Sequence, residues 1–438
     1  MRNLLGLCAS IVLVSAAWGQ SADNINGEWL VTRDAYGNPL YHRMTLHLGN
    51  GKLTGKFWGD PLEGTLKGND IHFIATDEQK NTAEVTGTIE GGTIKGKVVE
   101  VDAANPSDKA ENTLTAVRAP ARTAGQPQRH EFTPTAFYRQ FSASNKPVLQ
   151  IAPGDTVLTT TVDAGGADEH GVKRVLGGNP ETGPFYVATA WPGDTLVVHF
   201  TRIRLNRDYA ISDDAIVGRA LDGDMSVKMK DGGKSVKWDL DRSRMVATSE
   251  SPGEHLKKYE VPLRPMLGCV ATAPGFGSAP PPTGDSGRWG GNMDFNEIVE
   301  GVTVYLPVNQ PGALLYVGDG HAAQGDGELN GDALETSMEV EFTVDVIHDK
   351  SIRTPRVESD SDVMTVGLGG SLEDALRAST AGMSQWLEQD YGLTPSEIAQ
   401  VLGTSAQIKI SEVADRNAGV ATKLSKARLS TLAKKQNQ

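Results

Sequence analysis

Residues 317–328 read VGDGHAAQGDGE. Asp319 and His321 stand two apart with a glycine between them, and Gln324, Asp326 and Glu328 follow among glycines and alanines. Two readings are open. As turn formers the acids mean little, because Asp-Gly is an ordinary turn signal. As ligands, Asp319 and His321 would project from one strand end and offer oxygen and imidazole to a divalent ion, which needs three or four such groups. Two other segments supply candidates of the same kind. Asn292 and Asp294 alternate after a glycine pair in RWGGNMDFNEI, and Asp163 precedes a glycine pair in TVDAGGADEH. Glu335 could substitute for one of these acids. Cys269, the only cysteine beyond residue 8, sits among apolar residues in LGCVA, where nothing would lower its pKa, and reads as a packed core thiol.

The elements that must position these residues are mainly strands. The chain has 438 residues, too many for one ordinary core, and its 49 glycines and 22 prolines favour many turns. Residues 23–118 read as a small antiparallel β meander or barrel of lipocalin-like pattern: period-two runs such as Met44, Leu46 and Leu48 are separated by Asn-Gly, Gly-Asn and Gly-Gly turns. Residues 119–130 are rich in Ala, Pro and polar residues and read as a linker. Beyond it, APGDTVL and WPGDTLV repeat one turn-to-strand pattern, suggesting two similar corners of a β sandwich or barrel in a β-sandwich-like domain over 131–420, and MSVKMKDGGKSVKWDLD reads as a hairpin. A C-terminal helical segment follows. Ser371 caps a helix with Leu372, Leu376, Met383 and Leu387 on one face, Thr394 starts another, and 421–438 reads as a solvated basic tail.

Composition excludes some partners. A net charge of −13 argues against nucleic acid and anionic membrane surfaces. Residues 1–19 read as a secretory signal peptide: Arg2, a short apolar core and small residues before a cleavage point. The mature chain is therefore expected to be exported, periplasmic or secreted, and free of the membrane.

Several long motifs resemble, in order, those of the acetamidase/formamidase family: PVLQIAPGDTVLTTTVDAGG, NPETGPFYVATAWPGDTLVV, PMLGCVATAPGFG and GRWGGNMDFNEIVEGVTVYLPVNQPGALLYVGDGHAAQGDGELNGDALETSMEV. The resemblance runs from about 130 to 420 and leaves the N-terminal β domain outside it. It implies hydrolysis of a small linear amide to a carboxylate and ammonia, with a divalent metal, zinc or alternatively calcium, at the site. No Gly/Ser-rich Ser-Ser-Lys segment is present, so water activated by the ion is the expected route. Asp163, Asp294, Asp319 and His321 are the expected ligands, Glu328 the general base with Asp326 as alternate, and Gln324 and Asn292 the amide-binding groups. Asn179 stands where some relatives have His, and ADEHGVKRVLGG is an insertion; both bear on the substrate. A larger or cyclic amide, or a non-catalytic ligand-binding role, are the alternatives, and self-association is left open.

Overall fold

The protein is described by a computed structural model covering residues 25–119, 125–275 and 279–432. The expected signal segment, residues 120–124 of the expected linker and residues 433–438 of the expected tail lie outside the described residues. The chain divides into two units, 1–119 and 120–438.

The first unit is a closed barrel of eight antiparallel strands between Gly27 and Arg118. Alternation sets its core. In Asp70–Thr76, Ile71, Phe73 and Ala75 are buried while their neighbours face out. Gly64 and Gly96 sit inside strands, where a Cβ would run into the backbone of the neighbouring strand, so these glycines serve strand contact as well as turns.

The second unit holds a 12-stranded and a nine-stranded sheet, and one apolar cluster draws on both. Phe185 of the first sheet meets Phe342 of the second edge to face, with ring centroids 5.4 Å apart. The repeated P-G-D-T turns have a common role. Thr156–Thr160 and Thr195–Leu205 both pair antiparallel with Met338–Ile347, one on each side. In each turn the Asp folds back onto backbone N–H groups: Asp155 accepts from Ala152 and Gln128, and Asp194 from Trp191 and Asp349. In the 12-stranded sheet, Tyr209–Asp213, Glu335–Thr336, Leu315–His321, Met266–Ala271 and Gly290–Asn292 lie side by side in that order.

Four local expectations are corrected. MSVKMK is not a hairpin arm: Gly223–Lys228 is a short helix, capped by the Asp222 side chain on Met225 N–H, and only Ser235–Asp241 is a strand. The helix Leu372–Trp386 buries Ala375, Ser379, Gly382 and Met383, while Leu372 and Leu376 are exposed. Small residues win that face because the helix lies against Asp362–Gly369 so closely that a Cβ on Gly367 would strike the backbone of Ala375 and Ser379. Gln407–Glu412, included in the helical segment, is an edge strand of the nine-stranded sheet. Residues 421–425 are no solvated tail, since Ala418–Ser425 is a largely buried strand paired on both sides. Lys423 and the absence of period-two alternation in this strand hid it.

Candidate active site: an acid–histidine cluster

The strand Leu315–His321 is buried along its whole length and ends in Asp319-Gly320-His321. Its pairing with Met266–Ala271 keeps one register from Met266↔His321 to Ala271↔Tyr316, which sets Gly268 opposite Asp319. Asp319 there takes a left-handed φ of 54°. Asp294 (φ 41°) and Glu328 (φ 49°) share this conformation, which is disfavoured for residues with a Cβ and collects at functional sites. The backbone N–H groups of Met293 and Asp294 both donate to the Gly268 carbonyl, which draws Asp294 alongside. A Cβ on Gly268 would occupy the space of Asp319 Oδ2 and Asp294 Oδ1.

Around His321 Nε2 the result is convergent. Glu335 Oε1 lies at 3.1 Å, Asp319 Oδ2 at 3.5 Å and Asp294 Oδ1 at 3.8 Å. Glu335 arrives because it is the cross-strand partner of His321. The other ring nitrogen is fixed by Gln324. Its Nε2 donates to the carbonyls of Asp294 (2.6 Å) and Ser411 (3.2 Å), so its Oε1, 2.8 Å from His321 Nδ1, must accept. The Nδ1 proton is thereby assigned, and Nε2 is the atom turned to the carboxylates.

Further acids close the cluster. Asp294, His321 and Glu328 bring ligand atoms within 4.8 Å of one another, as do Asp319, His321 and Glu335, and Asp294, Glu412 and Asp415. Glu328 and Glu412 approach because Gly327 N–H donates to the Ser411 carbonyl and Val413 N–H to the Gly327 carbonyl, docking the loop on the end of Gln407–Glu412. Glu181, fully buried, fills the space a Cβ on Gly318 would need. Among the described residues no Lys or Arg lies within ion-pair distance of these acids. Burial, followed by repulsion from neighbouring acids, therefore raises their pKa values: Glu335 to about 8, Glu412 to about 9 and Asp415 to about 6, with Asp294, Glu328 and Glu181 well above the usual carboxylate range. Burial pushes His321 down, but Glu335 and Asp319 outweigh it and leave it well above its ordinary value.

The cluster fits a divalent cation. Both Asp319 oxygens, Asp294 Oδ1, Glu335 Oε2 and Glu412 Oε1 are buried without a hydrogen-bond partner, an excess of acceptors that an ion satisfies and an apolar core does not. Asp294, Asp319, His321 and Glu335 would form the donor set. Gly268→Ala should crowd two of these carboxylates, lowering stability by about 1–3 kcal/mol and weakening metal uptake. Thermal unfolding and metal analysis of the variant would check this; unchanged values for both would contradict it.

The expected site residues thus fall into two groups. Asp294, Asp319, His321 and Glu328 are brought together. Asp163 is not: its Oδ2 is held by Arg207 at 2.7 Å and its Oδ1 accepts from Ala167 N–H, so it braces a loop, and the carboxylate beside His321 is instead that of Glu335. Asp326 points outward, accepting from Asn296 and pairing with Lys409 at 3.2 Å. Asn292 spends its amide N–H groups on Asp294 and Asp415, and Gln324 spends its own on carbonyls, so both position ligands. Glu181, Glu412 and Asp415 were not foreseen; NPETGP and ISEVAD contain them, but no spacing ties either to His321. Cys269 is fully buried, and burial and then Glu181 push its thiol pKa well up, as befits a core cysteine.

Comparison with known proteins agrees with this architecture. Residues 281–410, which carry Asn292, Asp294 and the segment from Asp319 to Glu335, match the acetamidase/formamidase family profile. A Schizosaccharomyces pombe protein provisionally named a formamidase is 51% identical over 41 residues, a stretch spanning 10% of that protein's length and 9% of this chain. A crystal structure of a predicted acetamidase/formamidase from Thermoanaerobacter tengcongensis superposes with a TM-score of 0.60 at 26% identity, covering 70% of this chain and 99% of that one. An acetamidase from Bacillus halodurans gives 0.58 at 26% identity, covering 69% and 99%. One from Yersinia enterocolitica gives 0.60 at 26% identity, covering 70% and 95%. Within the larger unit, residues 281–410 thus match the acetamidase/formamidase family model, and the unit's fold is similar to that of solved acetamidases.

Proposed function

We propose that this chain hydrolyses small linear amides to a carboxylate and ammonia at the cluster around His321. The observation that carries the reading is the convergence of three carboxylates on His321 Nε2, with several of their oxygens buried and unsatisfied. A divalent ion, zinc or alternatively calcium, would be held by Asp294, Asp319, His321 and Glu335, and would supply Lewis-acid polarisation of the amide carbonyl and acidification of water.

The remaining chemistry falls to the chain. Amide hydrolysis needs a base for the attacking water and an acid for the departing amine. Glu328 suits both tasks: it is 4% exposed, its pKa is raised by burial, and among the described residues no side-chain hydrogen bond ties its carboxylate down. It can take the water proton and pass it to the leaving nitrogen. Gln324 holds the His321 ring, and the Asn292 amide bridges Asp294 and Asp415, which restrains the carboxylate of the ligand Asp294. The similar proteins, named as a formamidase and acetamidases, point to short acyl groups. Export to the periplasm or medium, resting on residues 1–19 alone, would place the enzyme where it meets such amides outside the cytoplasm.

Ammonia release from formamide, acetamide and a series of bulkier and cyclic amides tests the reading. Turnover of the two small amides, falling as the acyl group grows, is expected. Release from none of them, with a ligand nonetheless bound tightly, would overturn it.

A further inference from the structure

Away from the acid–histidine cluster lies a second cavity, of about 470 Å³, between strands of the nine-stranded sheet and the C-terminal helices. It shares no lining residue with the cluster. Its volume is that of a small-molecule site, and Tyr305, Trp386 and Tyr391 contribute aromatic walls.

The charges around it do not balance. Asp390, on the wall, is matched by Lys350 and also accepts from Trp386 Nε1. Glu358 is matched by Lys426 at 2.7 Å and also accepts from the Tyr305 hydroxyl. That leaves Arg356, which is 3% exposed. Its guanidinium stacks on Trp386 at 4.9 Å, and Nη2 donates to Gln389 Oε1 at 2.8 Å, but Nε is buried without an acceptor. Among the described residues no carboxylate comes within ion-pair distance of it. Burial lowers its pKa to about 10, so it remains charged at neutral pH. A buried charge whose direct contacts are neutral, with the Asp390 carboxylate acting only from beyond ion-pair distance, is costly, and a planar guanidinium with an unused donor matches a carboxylate.

We propose that this cavity is a binding site for a small apolar monocarboxylate, with its head on Arg356 and its body against the aromatic walls. The anion would supply the missing counter-charge to the guanidinium, while Tyr305 and Tyr391 would cover the apolar part.

Calorimetric titration of the full chain with phenylacetate, and with neutral 2-phenylethanol of similar shape, tests this. Phenylacetate is expected to bind at one equivalent, with the alcohol at least about tenfold weaker. Arg356→Gln should weaken phenylacetate by about tenfold or more. Because that variant removes a buried group, Ile347→Trp serves as the second arm: Ile347 lines the cavity but is 36% exposed, so the larger ring fills the space without disturbing the fold. It should abolish phenylacetate binding while leaving amide hydrolysis unchanged, which also separates this site from any product site at the acid cluster. No binding of phenylacetate to the wild type, equal binding of the alcohol, or undiminished binding to Ile347→Trp would each overturn the proposal.

Discussion

Glu328→Gln is expected to lower amide turnover by about 10²- to 10⁴-fold, the usual contribution of a positioned general acid–base. Gln keeps the shape of the side chain and its left-handed backbone position but cannot accept the water proton. Metal content should stay near that of the wild type, since Asp294, Asp319, His321 and Glu335 are untouched. Asp326→Asn, two residues away in sequence but on the surface beside Lys409, should change turnover by no more than about twofold. Steady-state ammonia release from the two variants checks both statements, and equal losses in the two would remove Glu328 from its role.

The second large effect concerns pH and metal removal. In the ion-free protein, Glu335 holds its proton up to about pH 8 and Glu412 up to about pH 9, because burial and nearby acids disfavour their charged forms. Unfolded, both would ionise near the ordinary carboxylate value of 4.5. Between those limits the folded state binds more protons than the unfolded state, so stability is fully present below about pH 4.5 and is lost as pH rises through 8 to 9. A chelated sample should therefore show a Tm for the larger unit that falls by on the order of 5–10 °C between mildly acid and mildly alkaline buffer. Restoring the ion neutralises the same carboxylates, displaces their protons and should flatten the slope. Differential scanning calorimetry with and without chelator checks this; identical slopes would mean that no cation belongs among these acids.

The mainly β class, the barrel and the helical segment were legible because periodicity, turn pairs and caps are local. The Asn-Gly, Gly-Asn and Gly-Gly pairs do fall at hairpin turns, and Ser371 does cap Asp374 N–H. The site was legible only where its residues lie on one segment. Asp163 and Asp319 look alike in sequence, each an acid within two residues of a glycine at a strand end. What separates them is Arg207, distant in the chain, whose guanidinium claims Asp163. Glu335 takes its place through strand register, opposite His321, and register is a long-range property. Glu181 and Glu412 come from separate strands that only the folded sheets bring close. The glycines of VGDGHAAQGDGE also have a more specific use than clearance for an ion: Gly318 makes room for Glu181 and Gly320 for Met338, while Gly268, on the neighbouring strand, makes room for the carboxylates. Small helix-face residues at Ala375 and Ser379 carried no apolar signal, yet they govern how closely the helix approaches Gly367.

The measurement that bears most directly on the account is metal stoichiometry alongside ammonia release for the wild type and His321→Ala, purified identically and loaded with zinc or calcium. His321 Nε2 is the atom on which Asp294, Asp319 and Glu335 converge. The wild type is expected to retain a divalent ion and to hydrolyse formamide or acetamide, while His321→Ala, correctly folded by circular dichroism, loses most of both. A folded His321→Ala variant with full metal content and full turnover would contradict the assignment of this cluster as the hydrolytic centre.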